Sequence, residues 1–121
     1  MPIDWYDYLE IAKYLEKNNN DLRDAANRSA VSRAYYAAFC HSRNYAIKMG
    51  VKFDPRRENV HQKVIDYFDC SGISGMYEVA RDLKCLRGWR NNCDYEDHLL
   101  NAHILISMAI PKAENIFKIL K

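Results

Sequence analysis

From Arg28 to Phe39 the chain reads Arg-Ser-Ala-Val-Ser-Arg-Ala-Tyr-Tyr-Ala-Ala-Phe, an apolar-rich run with no glycine or proline to break it. Wound as a helix, it sets the small side chains Ala30, Ala34, Ala37 and Ala38 beside the large rings Tyr35, Tyr36 and Phe39, so that little of its circumference is polar. A helix that is apolar on most faces has to bury more than one of them. This segment therefore predicts a central helix with neighbours on at least two sides, and the rest of the chain must supply those neighbours.

It supplies them as helices. No stretch alternates with a period of two, no Asn-Gly turn occurs, and the four glycines stand apart at Gly50, Gly72, Gly75 and Gly88. Trp5, Tyr8, Leu9, Ala12 and Leu15 trace one helical stripe, ending in Asn18-Asn19-Asn20. The central helix is expected to start after Asn20, as a cap, and to stop at Gly50. Asp54-Pro55 predicts the start of a third helix with Val60, Val64, Tyr67 and Phe68 inward. A fourth carries Met76, Val79, Ala80, Leu83 and Leu86. A fifth element, from Glu96 to Lys121, carries Leu99, Ala102, Ile106, Ala109, Ala113, Ile116 and Leu120, with Pro111 expected to kink or restart it. Five helices on short turns read as one all-α domain over residues 1–121, an antiparallel bundle with a broken last member.

Bulk properties narrow the function classes. A formal net charge of +2 neither demands nor excludes nucleic acid. Cys40, Cys70, Cys85 and Cys93 form no C-x-x-C pair, which argues against zinc and against a disulfide framework and predicts reduced thiols in a cytoplasmic protein. No apolar run approaches the roughly 18 residues of a membrane span, so no membrane association is expected.

The segment Leu86 to Tyr95 is the one that looks built for chemistry. On a helix Arg87, Arg90 and Asp94 fall within roughly 60° of one another, so two guanidinium groups and a carboxylate share a face that suits a phosphate. Arg90 and Asp94 at i, i+4 are equally an intrahelical ion pair of about 0.3–0.5 kcal/mol. Arg33, if buried, needs a partner; Ser29, Arg33, Tyr36 and Cys40 lie along one line of the central helix, which predicts that Arg33 meets Asp94 or Tyr95. Arg81, Lys84, Arg87 and Arg90 form a basic strip, either solvated or in contact with a polyanion. Gly88 inside the helix suggests close approach by a backbone or a ligand. His41, His61 and His103 fit neutral, hydrogen-bonded positions better than catalytic ones.

Three segments together carry a family resemblance: Arg28 to Phe39, Val60-His61-Gln62-Lys63-Val64, and Arg90-x-x-x-Asp94-Tyr95. In these the chain resembles the small stand-alone prokaryotic HEPN proteins. The resemblance implies an up-and-down four-helix bundle with an additional short or kinked C-terminal helix, working as a homodimer whose motif regions face each other. It also implies a metal-independent endoribonuclease without cofactor, a toxin or defence component, in some cases with a nucleotidyltransferase-like partner protein. In that mechanism the RNA 2′-hydroxyl attacks the neighbouring phosphate, a histidine moves the proton and arginine meets the developing charge.

The spacing departs from the nuclease pattern, which puts histidine four to six residues beyond the arginine. After Arg90 that window holds Tyr95, Glu96 and Asp97. His98 comes later and, on an unbroken helix, would sit about 12 Å along the axis from Arg90; a break near Asp94 would bring it closer. The resemblance thus assigns catalytic roles to Arg90, Asp94 and Tyr95, proton transfer to His98 and a ligand contact to Asn91, while the helical spacing adds Arg87 and Arg33 as ligand contacts, Arg33 more readily as a structural partner. Three functions stay open: an RNA-binding or RNA-cleaving dimer, a non-catalytic module that binds a nucleotide or partner, and a structural adaptor in which the arginines are ordinary ion pairs.

Overall fold

The computed structural model describes residues 2–121. It contains α1 (Tyr6–Lys17), a 3-10 turn (Asn20–Leu22), α2 (Arg23–Lys48), α3 (Val60–Asp69), α4 (Met76–Tyr95) and α5 (Ala102–Ile119), and no strand among the described residues. α2 is the one helix that touches the other four. Ala30, Ala34, Ala37, Ala38 and Tyr35 are fully buried along it, each small side chain letting a neighbour approach closely. The stripes of the other helices turn inward as expected. Leu9 and Ala12, Val64 and Phe68, Val79 and Leu83, and Ile106, Ala109, Ala113 and Ile116 form one continuous core with α2.

The helix ends depart from the sequence reading in four places. The asparagines finish α1 rather than cap α2: Asn18 donates its side-chain amide to the Tyr14 carbonyl at 3.0 Å and Asn19 donates to Glu16 at 2.7 Å. Asn20 takes the left-handed conformation (φ 29°), opens the 3-10 turn, and α2 proper starts at Arg23 without a side-chain cap. Asp54-Pro55 forms a separate turn in which Asp54 Oδ1 accepts from the Arg56 amide at 3.0 Å. α3 begins six residues later than Asp54, at Val60, where Asn59 accepts from the Gln62 amide at 3.2 Å. The stop at Gly50 is as anticipated. With φ 97° it lets its own amide donate to Ile47 and that of Val51 donate to Ala46, closing the free carbonyls of α2.

The fourth departure is the last helix. It starts at Ala102 rather than Glu96, is not short at 18 residues, and runs through Pro111 without restarting. Pro111 and Ser107 are both exposed, so the carbonyl that loses its helical donor can turn to water, and the tertiary packing of the opposite face keeps the segment helical. The shortest helix is instead α3, at 10 residues. Between α4 and α5 the buried carboxylate of Asp82 accepts from Lys112 Nζ at 3.3 Å and Asn115 Nδ2 at 3.1 Å, so no unpaired charge is left in that interface.

α4 ends at Tyr95, where Glu96 turns to an extended conformation. The carbonyls at and beyond the last turn are gathered by Arg28 of α2, which donates to Cys93 O at 3.2 Å, to Glu96 O, and to Asp97 O at 3.4 Å while pairing with Asp24 at 2.9 Å. A guanidinium at a helix C-terminus meets both the free carbonyls and the negative end of the helix dipole. No helix is long and apolar enough to cross a membrane among the described residues.

Candidate functional site

The packing of α2, α3 and α4 brings three sets of side chains to one end of the molecule. α2 contributes Tyr35, Tyr36 and Phe39; the first turn of α3 contributes His61 and Gln62; the last turns of α4 contribute Arg87, Arg90, Asn91, Asp94 and Tyr95. The helical spacing of Arg87, Arg90 and Asp94 does place them on one side of α4, and the tertiary fold aims that side at α2 and α3.

Arg90 is held on several sides. Its Nη2 donates to the Tyr36 hydroxyl at 2.8 Å and its Nη1 donates to Asn91 Oδ1 at 3.0 Å. Its guanidinium carbon lies 5.0 Å from the centre of the Tyr36 ring and 5.8 Å from that of Tyr95, over both π faces. Asp94 Oδ2 is 2.8 Å from Nε, yet that buried N–H points at no acceptor. The contact is therefore an ion pair with poor hydrogen-bond alignment, since the short charge separation survives the unfavourable angle. Arg87 donates to Gln62 Oε1 at 3.3 Å and has no carboxylate partner among the described residues. Two cations thus face a single carboxylate, and the patch carries surplus positive charge.

His61 sits beside them. Its ring stacks on Phe39 with centroids 4.1 Å apart and an interplanar angle of 10°, and its Nδ1 shares a hydrogen bond with the Tyr35 hydroxyl. Burial, and then the charges of Arg87 and Arg90, hold its pKa below the usual histidine range, so the ring is neutral at neutral pH. Burial also pushes the Tyr35 hydroxyl well above the usual phenol range and keeps it protonated. With Nδ1 engaged, Nε2 is the ring nitrogen that has no protein partner among the described residues. A neutral imidazole next to two guanidinium groups is equipped to exchange a proton near a bound anion.

Five of the site residues expected from sequence, Arg87, Arg90, Asn91, Asp94 and Tyr95, lie on this patch. Two do not. Arg33 is exposed on α2, and its guanidinium lies 5.5 Å from the ring centre of Tyr8 on α1, so it meets neither Asp94 nor Tyr95 and needs no buried partner. His98 is exposed in the loop after α4, and no contact of Arg90 reaches it. Gly88 is open: a methyl group there would meet nothing within 4 Å, so neither backbone nor side chain requires it to be glycine. In the basic strip Lys84 is paired with Asp69 at 3.6 Å and Arg90 with Asp94, which leaves Arg81 and Arg87 without carboxylate partners among the described residues.

Sequence reasoning missed Tyr36, Gln62 and the placement of His61. The signal for His61 was present in the Val60-His61-Gln62 segment, but a histidine on a different helix cannot be paired with Arg90 by counting residues. Among the described residues no group of three or more His, Cys, Asp or Glu side chains is placed to hold a metal ion.

No family model matches the chain. A protein of Methanocaldococcus jannaschii described as "Uncharacterized protein MJ0628" is 32% identical over 102 aligned residues, which cover 74% of this chain and 61% of the relative. The chain thus spans less than two thirds of that relative's length. No solved structure matches.

Proposed function

We propose that this chain is a HEPN-type RNA-binding protein and metal-independent endoribonuclease. The observation that carries the reading is the meeting of Arg87, Arg90 and neutral His61 at the junction of three helices. On this reading α1, α2, α4 and α5 are the antiparallel up-and-down four-helix bundle and α3 is the additional short member. Arg87 and Arg90 take an RNA phosphate, each with donors left over after their protein contacts. His61 supplies the histidine that the spacing after Arg90 lacks. Its free nitrogen takes the 2′-hydroxyl proton as that oxygen attacks the adjacent phosphorus. The bond to the 5′-oxygen breaks, and the leaving oxygen receives a proton from solvent-facing Tyr95. The products are a 2′,3′-cyclic phosphate and a free 5′-hydroxyl.

Leu100, Ile104 and Met108 support action as a homodimer: spaced by four, they are 90%, 45% and 39% exposed and run down α5 from the loop that leaves Tyr95. A second copy covering them would remove this apolar stripe from water. On the same reading the chain acts as a cytoplasmic toxin or defence component with a nucleotidyltransferase-like neutralising partner, as the family resemblance implies. A second reading, a non-catalytic module that binds a nucleotide or partner, is favoured by one observation: Asp94, Asn91 and Tyr36 already engage Arg90.

The test is to incubate purified protein with single-stranded RNA in the presence of a chelator, beside Arg90→Ala and His61→Gln variants. The reading expects cleavage that falls at least about a hundredfold in each variant. Cleavage retained in Arg90→Ala overturns it, and binding without cleavage by the unmodified protein supports the second reading.

A further inference from the structure

Beyond His61, on the side away from α4, the C-terminal half of α2 and the segment before α3 enclose a groove of about 590 Å³. This volume lies within the roughly 300–1,000 Å³ typical of small-ligand sites. Phe39, Ile47, Phe53 and Pro55 make its apolar lining, while Arg43, Glu58, Asn59 and His61 bring polar groups to it. The core behind it does not need this space, because the Phe39 ring is already packed and its face is covered by His61.

We propose that this groove receives the nucleobase of a nucleotide whose phosphate is held by Arg87 and Arg90, so that the protein binds RNA by one base as well as by its backbone. The inference rests on the phosphate reading of the arginine patch and adds to it the chemistry of the ligand's other end.

The two places are joined by contact. His61 lines the groove and lies edge-on to Tyr36, with ring centroids 6.1 Å apart, and the Tyr36 hydroxyl accepts from Arg90. A ligand that spans them needs an anionic end, a polar middle able to meet the free His61 nitrogen, and a flat apolar end with hydrogen-bonding edges. A nucleotide has these in that order. Phe39 and His61, which both line the groove, lie nearly parallel, with an interplanar angle of 10°, so the lining already holds two planar rings in a stacked arrangement. Bases stack on such surfaces whatever their identity.

The groove is not hostile to an anionic ligand. The Glu58 carboxylate is committed to Lys63 at 2.8 Å and to the Asp54 amide at 3.2 Å, and the neighbouring Arg43 has no carboxylate partner among the described residues. Asn59 uses its oxygen to cap α3, which leaves its amide nitrogen to donate to a base edge. An acyl chain would fit the apolar lining but would leave these polar groups unmet.

Titration calorimetry with 5′-AMP and with ribose 5-phosphate separates the two halves of the ligand. The expected result is that the whole protein binds 5′-AMP at least about tenfold more tightly than ribose 5-phosphate. Ile47→Trp, at a half-exposed position lining the groove, places a bulky ring in it and should erase that preference while leaving ribose 5-phosphate binding unchanged. Arg87→Ala should weaken both ligands alike. Equal affinities for the two ligands in the unmodified protein, or a preference that survives Ile47→Trp, overturn the groove proposal and leave the phosphate reading standing. Failure of both ligands to bind removes the two together.

Discussion

Replacing Arg28 by alanine tests whether the end of α4 is held by one side chain. Arg28 is 18% exposed and donates to three main-chain carbonyls at and beyond the last turn of α4, besides pairing with Asp24. The Asp24 pair, with that carboxylate 64% exposed, is worth only about 0.3–0.5 kcal/mol. A hydrogen bond from a charged donor is worth about 1.5–3 kcal/mol net, and a cation at a helix C-terminus adds about 0.3–1 kcal/mol. The three carbonyls share one guanidinium and water can replace it, so these contributions do not add in full. We expect Arg28→Ala to cost about 2–3 kcal/mol. For a chain of 121 residues that lowers Tm by about 10 °C. Arg28→Lys, with one compact ammonium in place of the fork, should retain roughly half of the contribution. Urea denaturation with an unchanged m-value gives the energy, and amide exchange at Glu96 to His98 shows whether the loop is the part that loosens. A loss under about 0.5 kcal/mol, or exchange in that loop unaltered, would refute the assignment of Arg28 as the clamp.

Three further outcomes are expected from the same geometry. His61 titrates below its unfolded value, so between the two the unfolded chain binds more protons. The contribution of the neutral ring is therefore complete above the ordinary histidine range and lost as pH falls through the lowered one; the decline in stability from pH 7.5 to 5.5, measured by urea midpoint, should be shallower in His61→Gln. Gly88→Ala should stabilise the protein by about 1 kcal/mol, because the site is exposed, helical and empty around the added methyl; destabilisation would mean that something approaches Gly88 after all. Burial raises the Cys93 thiol to about 11 and also raises that of Cys40, so in native protein at pH 8 a thiol-alkylating reagent should label the exposed Cys70 and Cys85 and spare these two until denaturant is added.

The sequence by itself determined the helical class, the central place of α2 and the inward face of every helix, because burial acts on periodicity and periodicity is local. It also placed Arg87, Arg90, Asn91, Asp94 and Tyr95 together, since all five stand on adjacent turns of one helix. It misplaced helix starts where asparagines and Asp54 had two uses, capping the next helix or closing a turn of their own, and only the final chain path chose between them. What the tertiary structure alone decided is which residues from other helices reach that cluster. Arg33, on the right helix, faces α1 instead, a rotation about the helix axis that no residue count reveals. His61, 29 positions before Arg90, arrives because α3 docks across α2 and α4, and its lowered pKa comes from that burial and those charges rather than from its neighbours in the chain.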